Sequence, residues 1–285
     1  MKVSVIIPVL NERASLPATI AALRACRGIA EIIVADGGST DGTVAWLQAQ
    51  PDIVLVRSIR GKGPQLNVGA AAAFVPGDSG VSETAETFIR EATGTEDTVT
   101  KTNADEAFAT KDAATQTLAT SDPGNHALLF LHADCLIAQP AIDALHAALA
   151  DPQLVGGAFY VRFAESHPRS LRLVAWGINV RARFRNSATG DQGIFVRRGV
   201  FESIGGAPEW PLFEDVELVR RIQRAGKFMV LRTPLTVSGR RYIEHGVLRT
   251  ALLIYSLRFA YWLGIPPQRL KNWFRDARRP AKDKL

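Results

Sequence analysis

Four short runs constrain this chain more than anything else in it: Val3 to Pro8, Glu31 to Ala35, Ile53 to Val56 and Leu128 to Leu131. Each is apolar, of strand length, and separated from the next by a stretch of helical character. Asn11 and Glu12 open a helix running to about Arg24. A second helix covers Thr43 to Gln48, and Gly61 to Phe74 reads as a loop feeding a helix of small residues. Strands alternating with helices of this length give right-handed crossovers and a mainly parallel sheet with helices on both faces, an α/β fold of Rossmann-like character. Such sheets bind ligands beyond the carboxyl ends of their strands. Asn11, Asp36 and Asp134 all fall at such ends.

Between Val75 and His126 the composition turns to Thr, Ala, Asp, Glu, Gly and Ser, with almost no large apolar residue. Too little surface can be buried there to offset the entropy of ordering, so 76–126 is expected to be a flexible acidic insert. From Leu154 onward GGAFYVRF, a helix from about Arg169 to Arg183, GDQGIFVRR, PLFEDVELVRRIQRAG and a strand through Met229 to Arg232 complete a domain spanning 1–245. Residues 246–285 form a helical extension with a basic tail of Lys271, Arg275, Arg278 and Arg279. The net charge of +6 and pI near 9.6 favour an anionic partner. Cys26 and Cys135 have neither disulfide-framework nor metal-site spacing, so the reducing cytoplasm is the expected compartment.

Asp36 follows IIVA and precedes GGSTDGT, where glycines let backbone approach a ligand closely. The same geometry serves an ordinary turn in which Ser39, Thr40 or Asp41 caps the next helix. No GxGxxG follows the first strand, which disfavours dinucleotide chemistry. LLFLHADCLI drives a buried strand straight into His132, Ala133 and Asp134. Several carboxylate-bearing strand ends in one sheet crowd negative charge, and a hard divalent cation carrying phosphate oxygens relieves it. Glu214 and Asp215 begin a helix, where acids stabilise the dipole, yet the bulky lead-in Trp210, Pro211, Leu212 and Phe213 is more than a cap needs.

VSVIIPVLNE, IIVADGGSTDGT, the HAD, GDQGIFVRR, PLFEDVELVRRI and SGRRY together resemble the inverting family-2 glycosyltransferases of GT-A fold. The narrower likeness is to the radical-SAM-associated or arsenosugar-biosynthesis subgroup. The resemblance implies a hexosyltransferase that moves a sugar from a nucleoside-diphosphate sugar, commonly a UDP-sugar, to an acceptor hydroxyl with Mg²⁺ or Mn²⁺. By it, Pro8, Asn11, Glu12 and Asp36 would line the nucleotide pocket, with Lys62, Gln65 and Asn67 along the nucleotide. His132 stands where the family's first DxD aspartate would be, beside Ala133, and Asp134 matches the metal-binding carboxylate, with His245 as a second ligand. Asp215 matches the general base, with Glu214 beside it. Asp191 and Gln192 would form the acceptor-side loop, and Arg240 and Arg241 would meet the departing diphosphate.

Other classes remain in play. A catalytically silent sugar-nucleotide-binding or membrane-surface scaffold is the alternative, since HAD departs from DxD. A nucleotidyltransferase would want a glycine-rich loop that NERASLPAT lacks, and no module of interleaved basic and aromatic residues points to nucleic acid. Val247 to Ile265 resembles a membrane span in length, but Arg249 and Arg258 would each cost about 3 kcal/mol near a bilayer centre. The helix is therefore expected to pack on the catalytic lobe, with peripheral contact to the inner membrane as the second expectation.

Overall fold

The computed structural model describes residues 1–73, 125–164 and 168–278. The expected insert 76–126 falls almost wholly outside them; its last two residues, Asn125 and His126, do not, and the fourth strand begins at His126 rather than Leu128. In chain order the elements are β1 (Lys2–Val9), α1 (Leu16–Arg24), β2 (Glu31–Asp36), α2 (Thr43–Gln48), β3 (Ile53–Arg57), α3 (Lys62–Ala71), β4 (His126–Phe130) and β5 (Cys135–Leu136). There follow α4 (Gln139–Leu149), β6 (Leu154–Phe163), α5 (Arg169–Arg185), β7 (Ile194–Arg197), α6 (Arg198–Ser203), α7 (Glu214–Ala225) and β8 (Lys227–Val237). The chain continues through α8 (Arg240–His245), α9 (Val247–Trp262) and α10 (Pro267–Arg278).

The sheet runs β3-β2-β1-β4-β7-β6-β8-β5. Its first half is parallel throughout, as the alternation of strand and helix requires. Beyond β4 it is mixed, since β7 runs antiparallel to both β4 and β6 while β8 is parallel to β6. β1 shows why the strands alternate in side. Val3, Val5, Ile7 and Val9 enter one core with Leu16, Ile20 and Leu23 of α1 and Ile142 and Leu145 of α4. Ile6 enters the other, with Leu66 of α3 and Leu218, Val219 and Ile222 of α7. Both faces are thus covered, so the strands read as unbroken apolar runs.

Three boundaries differ from expectation for local reasons. Asn11 and Glu12 precede α1 instead of opening it, because Asn11 takes a left-handed backbone (φ 58°) and the helix starts only at Leu16. β8 is an eleven-residue strand, longer than its apolar centre suggested, because it pairs along β6 through a register shift. Buried His126 bonds Ser4 Oγ at 2.7 Å, and burial, with the charges of Arg198 and Lys2, draws its pKa down to about 4.

Candidate functional site

The carboxyl edge of the sheet is built first from two turns that hold each other. Asn11 N–H donates to Ser39 Oγ at 2.9 Å, and Thr40 N–H returns a bond to Asn11 Oδ1 at 2.8 Å. Glu12 N–H donates to Thr43 Oγ1, and Arg13 N–H to Asp41 Oδ2. The left-handed Asn11, a conformation Asn tolerates better than most residues, is what aims NERAS at GGSTDG. Asp36 is buried, its carboxylate accepting the amides of Gly38 and Ser39 at 2.9 and 3.1 Å.

Several residues that the resemblance aligns along the nucleotide have their polar atoms engaged by the protein. Gln65 is buried and its Nε2 donates to the carbonyls of Val9 and Ala35, both at 2.7 Å, stitching the ends of β1 and β2. Asn67 clamps Ala207 from both sides, Nδ2 to its carbonyl at 3.0 Å and Oδ1 from its amide at 2.8 Å. Gly63 is needed nearby, because a Cβ there would lie 2.2 Å from Pro208 O. Helix α3 is therefore fixed against the segment that leads to Glu214. Ala133 is buried with its carbonyl held by Thr19 Oγ1 at 2.7 Å. Gln192 is fully buried, accepting from Thr189 and Arg181 and donating to Phe159 O at 3.0 Å. These contacts give the four side chains or carbonyls a holding role.

Four of the predicted residues, with Gly190, meet at one spot. Lys62, at the first turn of α3, lies 3.2 Å from His132 Nε2 and 3.8 Å from Glu214 Oε1. Gly190 N–H donates to Asp215 Oδ2 at 2.7 Å, and a Cβ on Gly190 would lie 2.7 Å from His132 Nε2. Residues from α3, the turn after β4, the turn before β7 and the start of α7 thus meet. Burial raises the Glu214 carboxyl to about 7, with the charge of Asp215 adding to the rise and Lys62 opposing it. Asp134 has no hydrogen-bond or ion-pair partner among the described residues, while its charge and that of Asp191 add to burial in raising the Cys135 thiol. No three His, Cys, Asp and Glu side chains gather as a ready metal cage among the described residues. A lone, hard oxygen donor of this kind suits a divalent cation that arrives with phosphate oxygens. His245 stands at the exposed end of α8, Arg240 is exposed at its start, and Arg241 shares that helix.

Two residues that the sequence marks only as part of a bulky lead-in and as a charge in an apolar run, Phe213 and Arg258, stand beside the site. Phe213 occupies a left-handed backbone (φ 64°), a strained state for a bulky residue, and its ring stacks on Tyr261 of α9 at 4.9 Å. Arg258, one turn earlier on α9, is largely buried, and burial with the charge of Arg181 lowers its pKa to about 10 while Asp215 and Asp191 act the other way. The helix expected to pack on the catalytic lobe does so through Leu212, Phe213 and Leu257. Its signal in the sequence was an arginine set in an apolar run without an acid on the same helix.

Residues 4–81 match the model of a family described as Glycosyl transferase family 2, a stretch covering β1 to α3. No curated protein matches the chain. Among solved structures, S. aureus TarS is similar with a TM-score of 0.53 at 14% identity, over 88% of this chain and 39% of its own. Its fragment 1–349 with UDP-GlcNAc gives 0.52 at 15% identity, over 82% of this chain and 57% of its own. The chain thus spans less than two thirds of these relatives. These likenesses show the fold, that of the GT-A glycosyltransferases, and carry no information on the narrower arsenosugar subgroup.

Proposed function

We propose that the protein transfers a sugar from a nucleoside-diphosphate sugar to an acceptor hydroxyl with inversion at the anomeric carbon. The observation that carries this reading is the meeting of Lys62, His132, Gly190, Glu214 and Asp215 at the carboxyl edge of the sheet, next to the segment that matches Glycosyl transferase family 2. TarS, which shares the fold, has been crystallised with UDP-GlcNAc, and a UDP-sugar is the first donor to test.

Asp215 accepts the proton of the acceptor hydroxyl as the acceptor oxygen bonds the anomeric carbon. The bond from that carbon to the diphosphate breaks, and its electron pair leaves with the diphosphate. One face of the sugar receives the bond and the other loses it, which inverts the centre. Lys62 supplies positive charge next to Glu214, and Arg240 with Arg241 would meet the growing charge on the leaving group. Asp134, with His245 as the second donor the resemblance suggests, would hold Mg²⁺ or Mn²⁺, whose contribution is to neutralise the diphosphate. The cytoplasm is the compartment that suits the free Cys26 and Cys135.

A silent binding scaffold would need Asp215 only as a tie between the amides of Gly190 and Val216, so turnover separates the two readings. Titration calorimetry with UDP, GDP and their sugars, with and without Mn²⁺, tests the donor half. Binding that needs the metal and is lost in Asp134→Ala is expected. Absence of binding by every nucleotide, or metal-dependent binding unchanged in Asp134→Ala, overturns it. Release of nucleoside diphosphate from the bound sugar then separates enzyme from scaffold.

A further inference from the structure

Helix α9 has two unlike faces. The inner one buries Leu257 and Ala260 and lays Tyr261 on Phe213, with Arg258 turned toward the charges of Asp191 and Asp215. The outer one is a stripe of Leu248, Leu252, Tyr255, Phe259 and Trp262, alternating four and three residues apart, and these are between 48% and 75% exposed. Helix α5 lies beside it, since a Cβ on Gly177 would sit 3.5 Å from Tyr255 Oη. That helix exposes Leu173 at 68%, Trp176 at 63% and Phe184 at 80%. Together they form a large apolar face, which a protein leaves in water only where something covers it.

The charge on the same two helices says what does. Helix α5 carries five arginines, α9 carries two, and neither has a single carboxylate. Arg169, Arg172, Arg183, Arg185 and Arg249 are exposed. By spacing alone Arg249 and Arg258, nine residues apart, fall on opposite sides of α9, which argues against an interfacial helix with one basic stripe. The structure removes that objection by turning Arg258 inward, so the outward face is left apolar and aromatic.

We propose that the α5–α9 face docks on the surface of an anionic lipid bilayer. Leucines and aromatic rings would enter the headgroup boundary, with Trp and Tyr at the depth they favour, and the arginines would pair with lipid phosphates. No helix among the described residues is long and apolar enough to cross a membrane, which suits a face that lies on one. A second copy is a poorer occupant, because joining two such faces brings cation against cation.

Co-flotation of the full chain with vesicles of phosphatidylcholine alone, or mixed with phosphatidylglycerol, is the test. Binding to the anionic vesicles is expected, with roughly tenfold or greater loss in Phe259→Glu. Leu173→Glu, on the other helix, should lose binding to a similar degree and keeps the test open if the first variant folds poorly. Thermal melts of both variants should match the parent. No flotation with either lipid overturns the proposal, as does flotation indifferent to both substitutions. Equal binding to neutral vesicles overturns the anionic assignment. A dimer by sedimentation that Phe259→Glu converts to monomers, without vesicle binding, would show the occupant to be a second copy.

Discussion

The amide of Gly190 donates to Oδ2 of Asp215 at 2.7 Å, joining the turn before β7 to the first turn of α7. The other oxygen, Oδ1, accepts from Val216 N–H at 2.8 Å. Two amide donors hold the carboxylate in one orientation, which suits a base that must be aligned before the acceptor arrives. In Asp215→Asn the side-chain carbonyl can still accept from Gly190, so the turn should stay folded. Turnover, read as nucleoside diphosphate release, is expected to fall roughly 10²- to 10⁴-fold with donor affinity retained. Lost donor affinity would move Asp215 to the donor side and refute the role given to it.

Gln65 offers a prediction of the opposite kind. Its Nε2 serves two strand-end carbonyls at 2.7 Å in a buried setting, so Gln65→Leu leaves Val9 O and Ala35 O without that donor. Unfolding in urea should show a loss of about 1–3 kcal/mol, the cost of orphaned buried acceptors. Donor affinity of the folded fraction should barely change. A residue lying along the nucleotide would show the reverse.

The contrast between these two residues explains how far the sequence could be read. Strand ends were legible because an apolar run that stops at Asp36 or shortly before Asp134 marks a place, and sheet topology says ligands gather there. The contacts of a polar side chain near such a place were not legible, because Gln65, Asn67 and Gln192 look alike whether they face a ligand or a backbone carbonyl. Only packing decides, and here it turned all three inward. Arg258 was read against the wrong solvent: its cost in a bilayer was weighed, whereas its helix folds back onto the site. The parallel half of the sheet followed from alternation with helices. The mixed half, with short β5 and bulged β6, had no such rhythm.

Lys62 and Glu214 set a dependence on pH. Burial raises the Glu214 pKa from 4.5 to about 7, so the fold favours its protonated form. The stabilisation is complete below about 4.5 and disappears as pH rises through about 7. Its size is on the order of 3 kcal/mol. Lys62 opposes the shift across 3.8 Å. Lys62→Met should move the titration higher and carry the loss of stability to more alkaline pH, as thermal melts across the neutral range would register. His126 acts on the other side: with its pKa lowered to about 4 from 6.5, it stabilises above 6.5 and ceases to as pH falls through about 4. Identical pH profiles for the parent and Lys62→Met would show that the pair does not govern Glu214.

Arg258 carries the last prediction. Its guanidinium is largely buried beside the charges of Asp191 and Asp215, yet it makes no ion pair among the described residues, and neighbouring Arg181 adds repulsion. A cation in that position costs the fold something, and the compensation expected of it is service at the site. Arg258→Ala removes the positive charge that acts with those of Asp191 and Asp215, so kcat should fall while donor affinity is retained. The loss of kcat is expected to be on the order of tenfold, ~1.4 kcal/mol of barrier. Arg258→Lys keeps the charge without the planar fork and should recover part of the lost rate. Stability should change little in either variant, because relief of the buried charge offsets lost packing. If Arg258→Ala lowers the melting temperature while leaving kcat of the folded enzyme in place, the arginine holds α9 to the lobe and has no part in the chemistry.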